Sequence, residues 1–422
     1  MSENRSLDVY RDNEFVGTLF DERPLRFDYT DSWLKSKNSR PITPSLGLDR
    51  VSHSGDTVEA YFENLIPEAA IRDLLKIRYQ VTTTFGLLGV IGGDTAGALV
   101  LVRSGESLKA PDYKVTTWDE IRKSIEGVGS EIQNPARGIE RRLSLAGAQS
   151  KSSILVLPDG SPAIPANDMA PTSHILKPNI GTLGNKIWCS ALNETFVMQL
   201  ASALKMDVAE AQYQPIVKAC LIKRYDRISD KQNNLIRLHQ LDLCQLDGKP
   251  SHIKYEADSG PSLQRCRILL QENGVPPNDL VRLIKWVFFN LFVGNNDSHA
   301  KNLSICFLPN EGVRLTPFYD LLSTTLYPGL SPQFALKIGG ENLPAKIDLE
   351  AIVRMSNELG FKPNYVINHG AKLAEKILKN LDKVADNLSK VANEKSEPRL
   401  LERLNDHIRS NTKKLQSRWR IG

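Results

Sequence analysis

The sequence predicts an α+β protein of two to three domains, and three observations carry that expectation. The chain has 422 residues, more than one small core requires. Strand-like alternation broken by turn signals runs through residues 1–255, and mainly helical periodicity follows from about residue 256. An apolar share of 41% with 24% charged residues fits a soluble globular chain and excludes collagen-like and disordered classes.

The elements follow in order. LDVYRDNEFVGTLF (7–20) alternates around Asp12-Asn13, which predicts a hairpin, and LRFDYT extends the strand pattern. TVEAYFENLIPE predicts a helix with Val58, Phe62 and Leu65 on one face. AAIRDLLKIRY predicts another, with Ile71, Leu74 and Leu75 inward. Gly92, Gly93 and Gly97 lead into the strand GALVLV, and the polar segment 104–116 reads as a linker, which closes a first α+β module at 1–105.

A second region, 106–255, opens with the helix TWDEIRKSIEG, capped by Thr117 and stopped at Gly127. RRLSLAGAQSKSSILVL alternates on both sides of a small-residue centre, the pattern of two strands around a tight loop. SHILK and QPIVKACLIKRYD read as further strands with the helix NETFVMQLASAL between them, and LHQLDLCQ as a helix with Gln240 and Asp242 as polar supports. The third region, 256–422, carries long helical patterns at 279–293 and 363–391. Its last fourteen residues hold five basic side chains and no acid, which suits a solvated helix end and leaves a nucleic-acid contact open.

A net charge of +5 permits anionic partners without requiring them. Cys189, Cys220, Cys244, Cys266 and Cys306 stand at least 22 residues apart without a CxxC pair, the pattern of reduced thiols. No apolar run approaches the roughly 18 residues that span a bilayer. A cytoplasmic protein with no membrane segment is expected.

The chemistry concentrates in GNNDSHAKN (294–302), polar residues set directly after the apolar WVFFNLFV. Asp297 and Asn302 are five residues apart, the interval at which a protein-kinase catalytic loop places its base and a metal-binding Asn. Alone, that match is weak, and such a loop is more often structural. Three neighbours strengthen it. After a strand comes Asp320, a hard oxygen ligand for Mg²⁺; upstream lies Lys177, a strand lysine flanked by apolar residues; before that, LAGAQSK can bring backbone N–H groups close to phosphate. Small-residue loop, strand lysine, D-x-x-x-x-N, then Asp is the kinase order, and it predicts a two-lobed protein-kinase-like fold: a mixed α/β N-terminal lobe with an extra N-terminal subdomain, and a mainly helical C-terminal lobe. No G-x-S-x-G elbow supports a serine hydrolase, and no H-E-x-x-H or paired cysteine supports zinc. A nucleotide-binding module without turnover and a metal-dependent phosphohydrolase using Asp297, His299 and Asp320 stay open as alternatives.

These motifs resemble the HipA-type serine/threonine kinases, the toxin halves of bacterial toxin-antitoxin pairs. RLSLAGAQSK, HILK, NETFVMQLA, KRYDR, LHQLDLCQ, KYEADSGP, GNNDSHAKN and LTPFYDLLSTTLYP occur in the family's order, and YFENLIPE and GGDTAGAL are similar to its N-terminal subdomain. The resemblance implies ATP and Mg²⁺ as cofactors and Asp297 as catalytic base. Asn302 and Asp320 would hold the metal; His299, Ala300, Lys301 and Tyr319 would line the nucleotide site. Ala146, Gly147, Ala148, Gln149, Ser150 and Lys151 would form the phosphate loop, Lys177 would meet the phosphates, and Lys223, Arg224 and Tyr225 would lie by the adenine through their backbone. Ser150 and Lys223 each stand where relatives often carry an acid. Ser144 would be autophosphorylated, and added negative charge in a phosphate-accepting loop would inactivate the enzyme. The implied partners are a HipB-like helix-turn-helix antitoxin, operator DNA through that antitoxin, and a protein substrate such as an aminoacyl-tRNA synthetase.

Overall fold

The computed structural model describes residues 5–127, 151–180 and 187–420. The chain folds into two compact units, each drawn from two separated segments: Met1–Lys177 with Arg224–His252, and Pro178–Lys223 with Ile253–Gly422.

The first unit opens with the expected hairpin, β1 (Ser6–Arg11) and β2 (Glu14–Phe20), turned through Asp12 at a φ of 53°. β3 (Arg26–Tyr29), α1 (Asp31–Lys35), β4 (Ser52–Ser54), α2 (Asp56–Glu63), α3 (Ala69–Tyr79), α4 (Thr84–Ile91) and β5 (Leu99–Arg103) follow, and the sheet order is β4-β3-β2-β1-β5. Period-two alternation puts Leu7 and Val9 of β1 and Phe27 and Tyr29 of β3 into the core, and a bulge opposite Val9/Tyr10 lets both Val16 and Leu19 of β2, three residues apart, be buried as well. Gly17 is required there, because a Cβ would lie 2.4 Å from Asp28 O. α2 buries Val58 and Phe62 as expected, but α3 does not follow its expected face: Leu75 is buried while Leu74 is 65% exposed. Adjacent helical residues diverge by about 100°, so one packing direction cannot cover both.

The expected linker contains a strand, β6 (Tyr113–Val115), too short for its alternation to be legible. α5 (Trp118–Gly127) follows the predicted cap, with Glu120 N–H donating to Thr117 Oγ1 at 3.2 Å. β7 (Ser152–Val156), β8 (Pro162–Pro165) and β9 (His174–Pro178) complete an antiparallel arrangement in the order β9-β7-β8-β6. The first half of the strand pair expected around LAGAQ, with its loop, lies outside the described residues.

In the second unit come α6 (Ser190–Ala203) and the hairpin β10 (Ala211–Gln214) and β11 (Ala219–Lys223). The chain then returns to the first unit with the hairpin β12 (Arg227–Ser229) and β13 (Leu235–Arg237). LHQLDLCQ is not one helix but β14 (Gln240–Asp242) followed by the single turn α7 (Leu243–Leu246). Asp242 caps that turn in a reciprocal capping box with Gln245, which is why its preference for caps overrides the apolar spacing.

The rest of the second unit is mainly helical: α8 (Leu263–Glu272), α9 (Pro277–Val293), the hairpin β15 (Ser304–Leu308) and β16 (Gly312–Leu315), α10 (Leu349–Glu358), α11 (Pro363–Ser389) and α12 (Ser396–Trp419). α11 buries Val366, Gly370, Leu373, Ala374, Ile377, Leu381, Val384 and Leu388, one stripe at helical spacing, and packs on α6, α9 and α12. The basic C-terminal stretch is only half the solvated end expected, since α12 presents Lys413 and Lys414 to solvent but buries Ile408, Thr412, Leu415 and Trp419. Among the described residues, all five cysteines are free and no helix is long and apolar enough to cross a membrane.

Candidate active site

α9 buries Trp286, Val287, Phe288, Phe289, Leu291, Phe292 and Val293, nearly its whole circumference, and so fixes the point where the chain leaves it. It stops at Gly294, a left-handed cap at φ 72° where a Cβ would lie 2.0 Å from Thr325 Oγ1. From Trp286 to Cys306 every residue is buried except Asp297.

Burying so many polar groups is tolerable only because they bond one another. Asn295 Nδ2 donates to Asn290 Oδ1 at 2.8 Å and to Asp320 O at 3.4 Å. Asn296 N–H donates to Thr324 Oγ1 at 2.8 Å, and its Nδ2 donates to Ser331 O at 3.0 Å. Asn302 Nδ2 donates to Asp297 O at 3.2 Å, and His299 N–H donates to the same carbonyl at 3.0 Å. The backbone of Asp297 is therefore pinned from within while its carboxylate faces outward. Tyr255 O–H donates to Asp297 Oδ1 at 2.7 Å and sets the direction of that carboxylate.

The companions predicted for Asp297 in the second unit gather around it. Tyr319 O–H lies 2.6 Å from both Lys301 O and Ser304 Oγ, which ties the segment before Asp320 to the loop. Asp320 adopts φ 58°, a left-handed conformation uncommon for a non-glycine residue. Asn193 of α6 holds the following turn, accepting from Ser323 N–H at 2.8 Å and donating to Ser323 O at 3.0 Å. Ala300 and Lys301 are buried in a short 3₁₀ turn. His299 is 5% exposed, with the Tyr255 ring edge-on at 5.2 Å. Its burial, reinforced by Lys254 and Lys301 against the pull of Asp320, holds its pKa well below the usual value.

Among the described residues no group of three or more His, Cys, Asp or Glu forms a metal cluster. Asn302 and Asp320 offer an amide and a carboxylate oxygen, hard donors too few for a protein-only cage. That set fits Mg²⁺, which keeps waters and takes further oxygens from phosphate groups, and does not suit zinc.

The other predicted residues are distributed differently. Lys177 is the fourth residue of β9, in the first unit, and is buried, and Lys151 immediately precedes β7, half-buried. Lys223 ends β11 in the second unit, exposed, with its amine 3.8 Å from Glu210 Oε2 and its N–H donating to Glu210 O at 2.9 Å. Arg224 N–H donates to Ser173 O at 2.9 Å, so neither of these two amides points to an open base site. All guanidinium nitrogens of Arg224 donate internally, to Asp226, Asp94, Thr172 and Thr95 O, which makes its side chain structural. Tyr225 is half-buried. Ser144 and the loop residues Ala146, Gly147, Ala148, Gln149 and Ser150 lie outside the described residues. His239 is structural, Nε2 lying 2.8 Å from Ile42 O, and His174 Nδ1 lies 2.8 Å from Ser173 Oγ.

Tyr255 is the residue that sequence reasoning passed over, although it stands inside the KYEADSGP motif. Its partner is 42 positions away, so no local pattern reveals the bond.

Similarity to one family extends over most of the chain. The HipA N-terminal domain model matches residues 7–102, and the HipA-like C-terminal domain model matches residues 143–388. A Sinorhizobium fredii protein, Y4mE, named as a candidate kinase, is 36% identical over 84% of this chain and 86% of its own. The Shewanella oneidensis serine/threonine-protein kinase toxin HipA is 29% identical over 88% of this chain and 87% of its own. A solved complex of Shewanella oneidensis MR-1 HipA and HipB with operator DNA superposes with a TM-score of 0.82 at 25% identity, covering 97% of each chain.

Proposed function

Since the chain belongs to the HipA family, we propose that it is a serine/threonine-protein kinase with a two-lobed kinase-like fold, transferring the γ-phosphoryl group of ATP to a protein serine. The observation that carries this reading is Asp297, an exposed carboxylate held at both backbone and side chain in a loop otherwise buried from Trp286 to Cys306. A carboxylate so held can accept the proton of a serine hydroxyl as it attacks phosphorus, and catalysis otherwise consists of positioning and charge neutralisation. Asn302 and Asp320 would hold Mg²⁺, which when bound neutralises charge on the phosphate oxygens. Lys177 and Lys151 would bind phosphate, with the loop Ala146–Ser150; because the N–H groups of Lys223 and Arg224 already bond Glu210 O and Ser173 O, only their carbonyls and the backbone of Tyr225 would be offered to the adenine. Burial disfavours a charge on His299, whose ring meets that of Tyr255 edge-on beside the loop.

The relatives support a toxin neutralised by a HipB-like helix-turn-helix antitoxin, which would carry the pair to operator DNA. The substrate in this reading is a translation protein such as an aminoacyl-tRNA synthetase, and phosphorylation of Ser144 shuts the enzyme off. The test uses purified protein with Mg²⁺ and labelled ATP. Asp297→Asn is expected to lower serine labelling by about 10²- to 10⁴-fold, the usual share of a general base, with an unchanged thermal midpoint. Wild-type labelling by that variant, or phosphate release from ATP with no labelled serine in the wild type, would overturn the assignment.

A further inference from the structure

α12 begins after residue 388, where the match to the HipA-like C-terminal domain ends. Its apolar face, Leu400, Leu401, Leu404, Ile408, Leu415 and Trp419, is enough to dock it. Two polar side chains on the helix do something more specific. Asn411 Nδ2 donates to Leu291 O at 2.8 Å and to Phe292 O at 2.9 Å. These carbonyls belong to the last turn of α9, where a helix leaves acceptors without partners in the ladder. One turn earlier, His407 Nε2 lies 2.8 Å from Thr325 Oγ1. Thr325 in turn donates to Gly294 O from its N–H at 3.0 Å and from its hydroxyl at 3.1 Å. Both contacts therefore converge on the three residues from which the GNNDSHAKN loop departs.

The helix is held along its axis at both ends. At its start, Glu397 is buried and accepts from Asn393 N–H at 2.7 Å, Glu394 N–H at 3.0 Å and the Tyr213 hydroxyl. At its end, Trp419 packs on Phe288 and Phe292, with ring centroids 5.6 Å away in each case, and its indole N–H donates to Ile347 O at 2.8 Å. A helix fixed at both ends cannot slide, so its middle delivers Asn411 and His407 to one place.

We infer that α12 is a brace for the Asp297 loop, with Asn411 and His407 as positioning residues that set where and in what direction the chain leaves α9. Neither residue touches the reacting atoms. The inference rests on the reading of Asp297 as the base, because a brace matters to turnover only if the loop carries the chemistry. Displacement of a reacting group by about 1 Å is enough to cost on the order of 10²-fold in rate.

The test compares full-length wild type with Asn411→Leu, His407→Leu and His407→Gln, the last keeping an amide nitrogen near the place of Nε2. Amide hydrogen exchange across residues 294–302 is measured with kcat and KM for ATP. Both leucine variants are expected to exchange at least tenfold faster in 294–302, with exchange in α6 and α11 unchanged. In both, kcat is expected to fall at least tenfold while KM for ATP stays within twofold, and His407→Gln is expected to stay near wild type in every readout. If Asn411→Leu does not fold, the two His407 variants carry the comparison alone. Unchanged exchange in 294–302, or equal acceleration throughout the second unit, overturns the brace whatever kcat does. A wild type without phosphoryl transfer refutes the kinase reading, and the exchange data still decide the brace.

Discussion

Two regions of this protein pack charged and polar side chains into the core, and they end differently. In the first unit, Arg224 and Arg227 surround Asp94 and Asp226, with all four residues buried and bonds of 2.8–3.0 Å between the charged groups. Thr172, Thr95 O and Gly97 O take up further donors and acceptors. Burial alone would push Asp94 up, but Arg224, Arg227 and Arg237 overcome it and hold the carboxyl well below the usual range. In the second unit, the Gly294–Asn302 loop is bonded as densely, yet it leaves Asp297 exposed. The first network turns its charges on one another inside the core and serves the fold. The second keeps its backbone buried but presents one carboxylate outward, steadied on Oδ1 by Tyr255, where a ligand can meet it.

The sharpest way to break this contrast is Asp226→Asn. Removing one partner of a buried ion pair leaves two guanidinium groups poorly compensated and is expected to cost about 3–5 kcal/mol, read from urea unfolding. Asp297→Asn should leave unfolding unchanged. Equal stability of both variants would erase the distinction between the regions.

Acid should loosen the first unit in a defined window. Burial, then Arg11, pushes the His239 imidazole down to about 4, below its ordinary value near 6.5. The unfolded chain therefore binds the proton first, so this stabilising contribution is fully present above about pH 6.5 and is lost as pH falls toward 4. The loss is on the order of 3 kcal/mol. His299 acts with the same sign in the second unit, so the check is the difference between wild type and His239→Gln. The variant should show a shallower decline in stability over that window, followed by amide exchange in the first unit.

The smallest effect belongs to Tyr255→Phe. The lost hydrogen bond reaches an exposed carboxylate, so stability should change by about 1 kcal/mol or less. The rate of phosphoryl transfer should fall several-fold, and a steady-state assay beside a thermal melt separates the two.

Much of this architecture is legible in the chain because it is local. The hairpin at Asp12, the helix capped by Thr117, the apolar α9 and the polar loop after it all announce themselves within a few residues of periodicity or turn chemistry. What was missed is short or distant. β6 has three residues, and the outward side of Leu74 depends on which way α3 is packed. Tyr255 meets a partner 42 positions away and Asn411 partners 119 and 120 positions away.

By itself, then, the sequence determined where the longer strands and helices form, which residues are apolar, and that Asp297, Asn302 and Asp320 stand in an order suited to phosphoryl transfer; LHQLDLCQ, read as a helix, became a strand and one helical turn. Only the tertiary structure decided that Arg224 is a structural keystone, that Asp297 alone in its stretch faces outward, and that α12 reaches back to the loop. The physical reason is that periodicity records neighbours along the chain, whereas burial and hydrogen-bond satisfaction depend on groups that meet only after the chain has folded.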